Sequence, residues 1–298
     1  MKVVLVVNPT KVASVTALRR LVALGCRERG WQEPVVLETT VQDPGQGMTR
    51  RAVADGAGLV LSAGGDGTLM AVARALAHSE VPLGVLPMGT GNLLARNLDL
   101  PLGLEAALDV ALDGRSRRLD LGMLSTTADG DPEGFAVMAG VGFDAAMMAD
   151  APVGLKSVVG WAAYAVSGVR HLRDRPLTVE LRVDGLAPLH RSARCVVVGN
   201  VGTLQAGLRL MPDARPDDGL LDVVVLSPLR LRDWVRVVVR LAARHPGDDR
   251  DVERFQGRRV EVRTQGPHPL QLDGDHVGTT DLLLVHVDPG ALLVRVPR

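Results

Sequence analysis

Two glycine-rich turns in the first third of the chain have the composition of a phosphate-binding site. They contain Gly64, Gly65, Asp66, Gly67 and Thr68 in the first turn, and Gly89, Thr90 and Asn92 in the second. Glycine lets the backbone approach a ligand closely, and a helix that begins at such a turn offers free N–H groups to a phosphate. Asp66 would repel a phosphate, so we expect it to position Mg²⁺, water or a sugar hydroxyl. A tight turn without a ligand is the alternative for the first motif.

The elements around these turns predict an open, mainly parallel sheet. Apolar strand-like segments alternate with segments of helical periodicity. The predicted strands are 3–7, 34–39, 59–63 and 83–87, and the predicted helices are 14–29, 47–56, 68–77, one from about 92, and 103–112. Both glycine turns then follow strands, at the edge where such sheets bind ligands. Asn8, Pro9 and Thr10 follow the first strand, so we expect them to border the same cleft.

Two common nucleotide-binding patterns are missing from these turns. None of the three strand-terminal segments contains G-x-G-x-x-G or G-x-x-x-x-G-K-[ST]. Their absence disfavours a dinucleotide-dependent dehydrogenase and a P-loop NTPase.

The pattern changes after residue 120 and predicts a second, mostly β domain. Predicted strands cover 119–124, 134–140, 177–183, 194–200, 221–227, 259–264, 270–272, 281–287 and 291–296, with helices only at 155–172 and 230–245. We therefore divide the chain into an α/β domain at 1–120 and a β domain at 121–287. Residues 288–298 are expected to pack back on the first domain.

The composition argues against several classes of protein. The 298 residues include 34 Lys and Arg and 34 Asp and Glu, so the formal net charge is zero, whereas nucleic-acid binders usually have a basic domain. Cys26 and Cys195 lie far apart and form no metal-ligand pattern. The apolar runs are too short for a signal peptide or a transmembrane helix. These features predict a reduced cytoplasmic protein with no transmembrane segment and no nucleic-acid partner.

Six motifs then follow one another in the order found in a known family. They read NPT at 8–10, GGDGT at 64–68, PMGTGN at 87–92, GFDA at 142–145, PDARPDDGLLDV at 212–223 and LDGD at 272–275. With this set the sequence resembles the diacylglycerol kinase catalytic-domain family, which includes bacterial lipid kinases and the sphingosine kinases. The resemblance implies an N-terminal doubly wound parallel-sheet domain, similar to that of NAD kinases, followed by a β-sandwich domain.

The resemblance also implies an activity, its cofactors and its residues. The chain would transfer the γ-phosphoryl group of ATP to the hydroxyl of diacylglycerol or a similar lipid alcohol, with Mg²⁺. The residues matching the ATP-binding segments are Asn8, Pro9, Thr10, Lys11, Val12, Thr40, Gly64, Gly65, Asp66, Gly67, Thr68, Gly89, Thr90 and Asn92. A structural Mg²⁺ would be held by the Asp218 side chain and the carbonyl groups of Arg215 and Leu220. Asp275 would be the general base, with Asp273 as the alternative.

Some residues depart from the family pattern and leave two other functions open. Met70 and Leu93 replace polar family residues, and Asp275 replaces a glutamate, which shortens the reach of that carboxylate by about one methylene. These departures motivate a nucleotide or lipid sensor without catalysis. An NAD kinase is the nearest enzymatic rival, since it shares GGDG and the two-domain outline, but the segments at 87–98 and 212–223 argue against it.

A basic stripe suggests how the chain would reach a lipid. Arg232, Arg236, Arg240 and Arg244 lie four residues apart in the predicted helix 230–245. Basic amphipathic helices bind anionic membrane surfaces, while the solvated face of a packed helix is the alternative. The expected partner is a lipid alcohol at a membrane surface, so the cytoplasmic protein would be peripherally membrane-associated. A homodimer stays open, because the sequence carries no signal of oligomeric state.

Overall fold

The structure, a computed structural model, describes most of the chain. It describes residues 1–142, 176–204, 209–228 and 251–298, together with 232, 233, 236, 237 and 239. The described residues form two compact units: Met1–Leu121 with Pro289–Arg298, and Gly122–Asp288. The GFDA motif beyond Gly142 and the predicted helix 155–172 lie outside the described residues, as do Arg240 and Arg244.

The first unit alternates strands and helices along the chain. Its strands are β1 (Val3–Val7), β2 (Val35–Glu38), β3 (Leu59–Gly64) and β4 (Leu83–Pro87), and its helices are α1 (Val15–Glu28), α2 (Gln46–Ala54), α3 (Asp66–Leu76), α4 (Leu93–Asn97) and α5 (Leu104–Asp113). The strands are parallel and lie in the order β2-β1-β3-β4. β1, β3 and β4 are rich in Val and Leu and buried, as parallel strands covered on both faces must be, whereas β2, at the edge of the sheet, is only partly buried.

Helices cover both faces of this sheet. On one face, Val22 of α1 and Leu108 of α5 share a core with Leu5 and Leu61. On the other face, α2 packs against α3, and Gly45 at the start of α2 lies close to Val6. Val294, near the C-terminus, pairs in parallel with Leu83 of β4. The doubly wound parallel sheet predicted from the sequence is confirmed.

The second unit is built from antiparallel strands. The strands after α5 are β5 (Arg115–Ser125), β6 (Glu133–Phe135), β7 (Met138–Val141), β8 (Leu177–Val183), β9 (Leu189–Ala193), β10 (Cys195–Gly199), β11 (Leu221–Leu226), β12 (Val252–Gly257), β13 (Arg259–Leu272) and β14 (Asp275–Val296). Of these, β5 and β14 have residues in both units. Within the second unit, the order β12-β11-β10-β7-β13 runs across one sheet, and β8 joins β13 to β9.

The core of the second unit forms between the inner faces of these strands. Val196 and Val223, from β10 and β11, share one buried cluster with Val179, Val260 and Leu283, from β8, β13 and β14. This is the arrangement of a β-sandwich, so the predicted fold of the second domain is confirmed as well. Within the described ranges, no helix is both long enough and apolar enough to cross a bilayer.

Candidate active site

The carboxyl ends of β1 and β3 lie at the point where the sheet changes direction. The chain places β2 on one side of β1 and β3 on the other. Such a switch point leaves a crevice beyond the strand ends, where open α/β sheets bind ligands. Asn8, directly after β1, bridges this crevice: its N–H donates to the Ala63 carbonyl (2.9 Å), and its Nδ2 donates to Thr68 Oγ1 (3.3 Å).

The NPT segment folds back on the Asn8 side chain. The Thr10 N–H and Oγ1 both donate to Asn8 Oδ1, at 3.0 and 2.8 Å. Thr10 and Lys11 are exposed, whereas Pro9 and Val12 are half-buried. The Asn8 amide therefore joins the first strand end to the glycine turn after β3, and the exposed Thr10 and Lys11 side chains remain at the surface beside it.

The first glycine turn is shaped by the start of α3. A Cβ atom on Gly64 would lie 2.7 Å from Thr68 Cβ, so only glycine fits at that position. Gly65 is the N-cap of α3 and provides no side-chain cap. The first turn of this 11-residue helix therefore presents backbone N–H groups, together with the exposed Gly67.

The second glycine turn touches the first backbone to backbone. A Cβ atom on Gly89 would lie 2.7 Å from Gly65 Cα, and the Met88 N–H donates to the Gly64 carbonyl (2.9 Å). Gly91 is buried, whereas Thr90 is exposed. The structure thus brings together the two turns that the sequence singled out, and both lie at the ends of adjacent parallel strands.

Asp66 is the connection between the two turns. Its Oδ2 accepts the Asn92 N–H (3.0 Å) and its Oδ1 accepts the Leu93 N–H (2.8 Å), at the start of α4. Asn92 has the left-handed φ of 48°, and its side-chain amide exchanges two hydrogen bonds with the Gly89 backbone. The carboxylate therefore fixes the second turn against the first.

Two further side chains shape the cleft and were not singled out in the sequence. Arg96 Nε donates to the Gly91 carbonyl (2.9 Å) and holds the second turn.

Asp43 stabilises the start of α2 by accepting the N–H groups of Gly45 and Gly47. Burial of the Asp43 carboxyl would raise its pKa, but these hydrogen bonds outweigh burial and lower it. Thr40 lies at this same turn after β2, where its Oγ1 accepts the Asp43 N–H. The DPG sequence at 43–45 is a turn signal that could have indicated Asp43, whereas nothing in the sequence marks Arg96.

In the second unit, the DGD segment forms the tight turn between β13 and β14. Asp273 and Gly274 have φ values of 51° and 97°, and Leu272 pairs with Asp275 across the turn. The Asp273 carboxylate is buried and accepts the N–H groups of Val137 (2.8 Å), Met138 (3.0 Å) and Ala136 (3.3 Å). Asp275 is exposed at the first position of β14. The two carboxylates thus have different environments, one bonded to backbone and one open to solvent.

The predicted metal segment precedes β11. Asp218 is exposed and its Oδ1 accepts the Leu220 N–H (3.0 Å) across Gly219, whose φ is 73°.

The nearby Asp222 carboxyl has a raised pKa of about 6, chiefly because it is buried. The Gln256 hydrogen bond opposes this shift, and the charges of Asp218 and Asp213 add to it. No group of three or more His, Cys, Asp or Glu side chains suited to a metal occurs in the described part of the chain. A site here would depend on one carboxylate and backbone carbonyl groups.

The structure describes two of the four arginines in the predicted basic stripe, Arg232 and Arg236. Arg236 forms ion pairs with Asp251 and with Asp233 (3.5 Å), and Arg232 lies 3.7 Å from Asp233. The charge of Arg236 is therefore largely offset by its carboxylate neighbours. The other two arginines of the stripe lie outside the described residues.

Two models of known protein families match this chain. Residues 2–124 match the family model described as the diacylglycerol kinase catalytic domain. Residues 136–296 match the model described as the YegS C-terminal NAD kinase beta sandwich-like domain. The chain belongs to the diacylglycerol kinase family. It is therefore a member of a family of lipid kinases, and its two units correspond to the two modules of that family.

Individual relatives agree with this assignment. The chain is 34% identical over 276 residues to a Pseudomonas fluorescens protein named "Probable lipid kinase YegS-like", covering 91% of this chain and 88% of that protein. It is 34% identical over 242 residues to a Mycobacterium tuberculosis protein named diacylglycerol kinase, covering 80% and 70%. These names identify lipid kinases, and the chain is an enzyme of that class.

Solved structures agree in fold. A crystal structure of a diacylglycerol kinase from Bacillus anthracis superposes with a TM-score of 0.74 at 19% identity, covering 99% of this chain and 96% of that one. An NAD kinase from Archaeoglobus fulgidus, solved in complex with ATP, superposes with a TM-score of 0.55 at 13% identity, covering 99% and 93%. The lipid kinase and NAD kinase folds are thus both similar to this chain, and the diacylglycerol kinase resembles it more closely.

Proposed function

We propose that this lipid kinase transfers the γ-phosphoryl group of ATP to the hydroxyl of diacylglycerol or a similar lipid alcohol at a membrane surface. The proposal depends chiefly on one observation, the backbone contact between the Gly65 and Gly89 turns, which follow the adjacent parallel strands β3 and β4. Two glycine turns meeting beside an uncapped helix N-terminus suit a polyphosphate, because N–H groups and the helix dipole favour negative charge.

Different residues around these turns would each contribute hydrogen-bond donors to bound ATP. Backbone N–H groups in the first turn of α3, around Gly67, would donate to phosphate oxygens. The exposed Thr10, Lys11 and Thr90 could add hydroxyl and ammonium donors, and Thr40 lies after the neighbouring strand β2. Asn8 and Asp66 would position these groups, since their side chains already link the three strand ends.

The donor atoms present suit Mg²⁺ in two roles. When bound, Mg²⁺ supplies positive charge that offsets the charge developing on the transferred phosphoryl group. A carboxylate oxygen can accept more than one bond, so Asp66 could also orient a hydrated ion. In the second unit, Asp218 and the carbonyl groups of Arg215 and Leu220 are oxygen donors of the kind that hard cations prefer. Burial chiefly raises the pKa of Asp222 and the charges of Asp218 and Asp213 add to the shift; this local negative charge also suits a cation.

We assign the general base to Asp275. A base must reach the proton that it accepts, and the exposed carboxylate of Asp275 is free to do so, whereas the Asp273 carboxylate is occupied by three backbone N–H groups. Asp275 would accept the proton of the lipid hydroxyl as the oxygen attacks the γ-phosphorus, and Asp273 would hold the turn that presents it. Such proton transfer typically contributes about 10²–10⁴-fold to the rate.

Incubation with radiolabelled ATP tests the proposed reaction. The purified protein is mixed with Mg²⁺, labelled ATP, and either NAD or vesicles that contain diacylglycerol. We expect label in the lipid fraction and none on NAD. Label on NAD alone would identify an NAD kinase and contradict the proposal. ATP binding with no transfer to either acceptor, or to a total lipid extract, would also contradict it.

A further inference from the structure

The turn between β8 and β9 and the start of β13 enclose an open groove on the second unit. Its lining includes Arg182, Asp184, Arg258, Arg259 and His286, all of which are exposed. The strand register explains their proximity, because Arg259 pairs with His286 on β14, and Glu261, two residues further along β13, pairs with Arg182 on β8. The groove therefore lies on the solvent face of the sandwich.

The turn beside the groove is firmly anchored. Asp184 and Gly185 have φ values of 51° and 74°, and the Leu186 N–H donates to the Val183 carbonyl (3.0 Å), as in a turn with two left-handed central residues. Asp184 Oδ1 accepts the N–H groups of Arg258 and Arg259, both at 2.8 Å. The tip of the turn is thus tied to the backbone of the two arginines.

The charges in the groove are unequally compensated. Arg182 pairs with Glu180, and Glu261 pairs with Arg263. By contrast, no acidic side chain within the described ranges forms an ion pair with the guanidinium group of Arg258 or Arg259. Among the residues that the structure describes, these two neighbouring positive charges therefore face solvent without an ion-pair partner.

The anchored turn also carries an exposed apolar side chain. Leu186, next to Gly185 of the groove, has 71% of its surface exposed. Exposed guanidinium groups beside an exposed leucine match the interfacial layer of a bilayer, where phosphates lie above acyl chains. A free phosphate or an acidic peptide would satisfy the arginines but would not account for the leucine.

We propose that this β8–β9 turn and the arginine pair, residues 184–186 with Arg258 and Arg259, form a docking surface for an anionic lipid bilayer. The inference rests on the proposed function in one respect, namely that a lipid kinase must reach a lipid surface. Arg258 and Arg259 bind lipid phosphates, and Leu186 enters the boundary between head groups and acyl chains. This surface includes none of the four arginines of the stripe at 232–244.

Vesicle sedimentation of the full-length protein tests the proposal without nucleotide. The vesicles are phosphatidylcholine with or without phosphatidylglycerol. The double substitution Arg258→Gln with Arg259→Gln should weaken binding to the phosphatidylglycerol vesicles by roughly 30-fold, or about 5-fold for each arginine, and Leu186→Ser should weaken it by about 10-fold. Added salt should weaken wild-type binding, since the attraction is electrostatic.

Matched controls come from α1. Arg19→Gln with Arg20→Gln removes two exposed neighbouring arginines, and Leu24→Ser removes a leucine that is 53% exposed. Neither control should change vesicle binding. Wild-type affinity in the Arg258/Arg259 variant would overturn the proposal, and so would an equal loss in the Arg19/Arg20 variant. Displacement of the protein from vesicles by soluble glycerol phosphate would also overturn it, because it would indicate a site for a single anion.

The phosphorylation of detergent-solubilised diacylglycerol separates this inference from the proposed function. The Arg258/Arg259 variant should phosphorylate the solubilised lipid as fast as wild type does, since the docking surface is needed only at a bilayer. If wild type binds vesicles as expected but phosphorylates no lipid, the proposed function fails and the docking surface stands. If wild type phosphorylates the lipid and the variant still binds vesicles normally, only the docking surface fails.

Discussion

At the scale of single residues, the sequence indicated that the two glycine turns meet, but it did not indicate which side chains hold them together. Glycine at 64, 65 and 89 could be singled out because adjacent glycines between a strand and a helix are costly unless a close approach requires them. The sequence could not show that Asp66 accepts N–H groups 26 and 27 residues away, or that Asp273 accepts N–H groups more than 130 residues away. Such long-range partners leave no mark in local spacing.

Substitution of Gly89 tests the contact between the two turns. A methyl group in Gly89→Ala would lie 2.7 Å from Gly65 Cα, so the turns must separate. We expect a loss of roughly 1–3 kcal/mol in the free energy of unfolding and weaker ATP binding. Chemical denaturation and calorimetric titration with ATP measure the two effects.

Gly103→Ala is the matched control for Gly89→Ala. Gly103 is also the residue before a helix, but its φ of −76° suits alanine and a Cβ atom there would contact nothing within 4 Å. This variant should be as stable as wild type and bind ATP equally well. Equal behaviour of the two variants would show that the turns do not depend on their close approach.

At the scale of elements, the buried parallel strands were predicted to within one or two residues, because their runs of Val and Leu are continuous. The sequence missed β9 and β12, which are edge strands with polar residues. It also predicted a single strand at 134–140, where the structure has β6 and β7. The Asp273 carboxylate accepts the N–H groups of Ala136 and Val137, which lie between the two strands, and that of Met138, the first residue of β7.

The raised pKa of Asp222, in β11, leads us to expect that stability depends on pH. The raised pKa of Asp222, about 6, means that the folded state holds this proton more tightly than the unfolded state does. In metal-free buffer, the stabilisation is fully present below the ordinary aspartate pKa of about 3.9 and is lost as pH rises through about 6. The loss should be on the order of 2–3 kcal/mol. Denaturant titrations at a series of pH values, for wild type and Asp222→Asn, measure it.

Asp222→Asn should remove this part of the decline. Asp129→Asn, which changes an exposed aspartate in the same unit, should retain it. Mg²⁺ bound at the 215–220 segment would favour ionised Asp222, so added Mg²⁺ should flatten the wild-type curve. A pH profile of Asp222→Asn that follows the wild-type profile would exclude Asp222 as its source.

At the scale of the whole molecule, the sequence predicted both folds and the family. The order of six motifs along the chain carries that information, and the matches at 2–124 and 136–296 agree with it. The lipid that is phosphorylated was not predictable, because apolar pockets distinguish substrates that differ by a methylene by only about 1–3 kcal/mol. Several lipids present a suitable hydroxyl, and the composition of the chain does not choose between them.

The most direct test of the account is single-turnover transfer of label from ATP to diacylglycerol by wild type and Asp275→Asn. Because Asp275 is exposed and acts only as a base in this account, the variant should fold and bind ATP normally while the transfer rate falls by about 10²–10⁴-fold. Asp275→Glu, which restores the carboxylate, should recover much of the rate. A transfer rate in Asp275→Asn close to that of wild type would contradict the proposed mechanism.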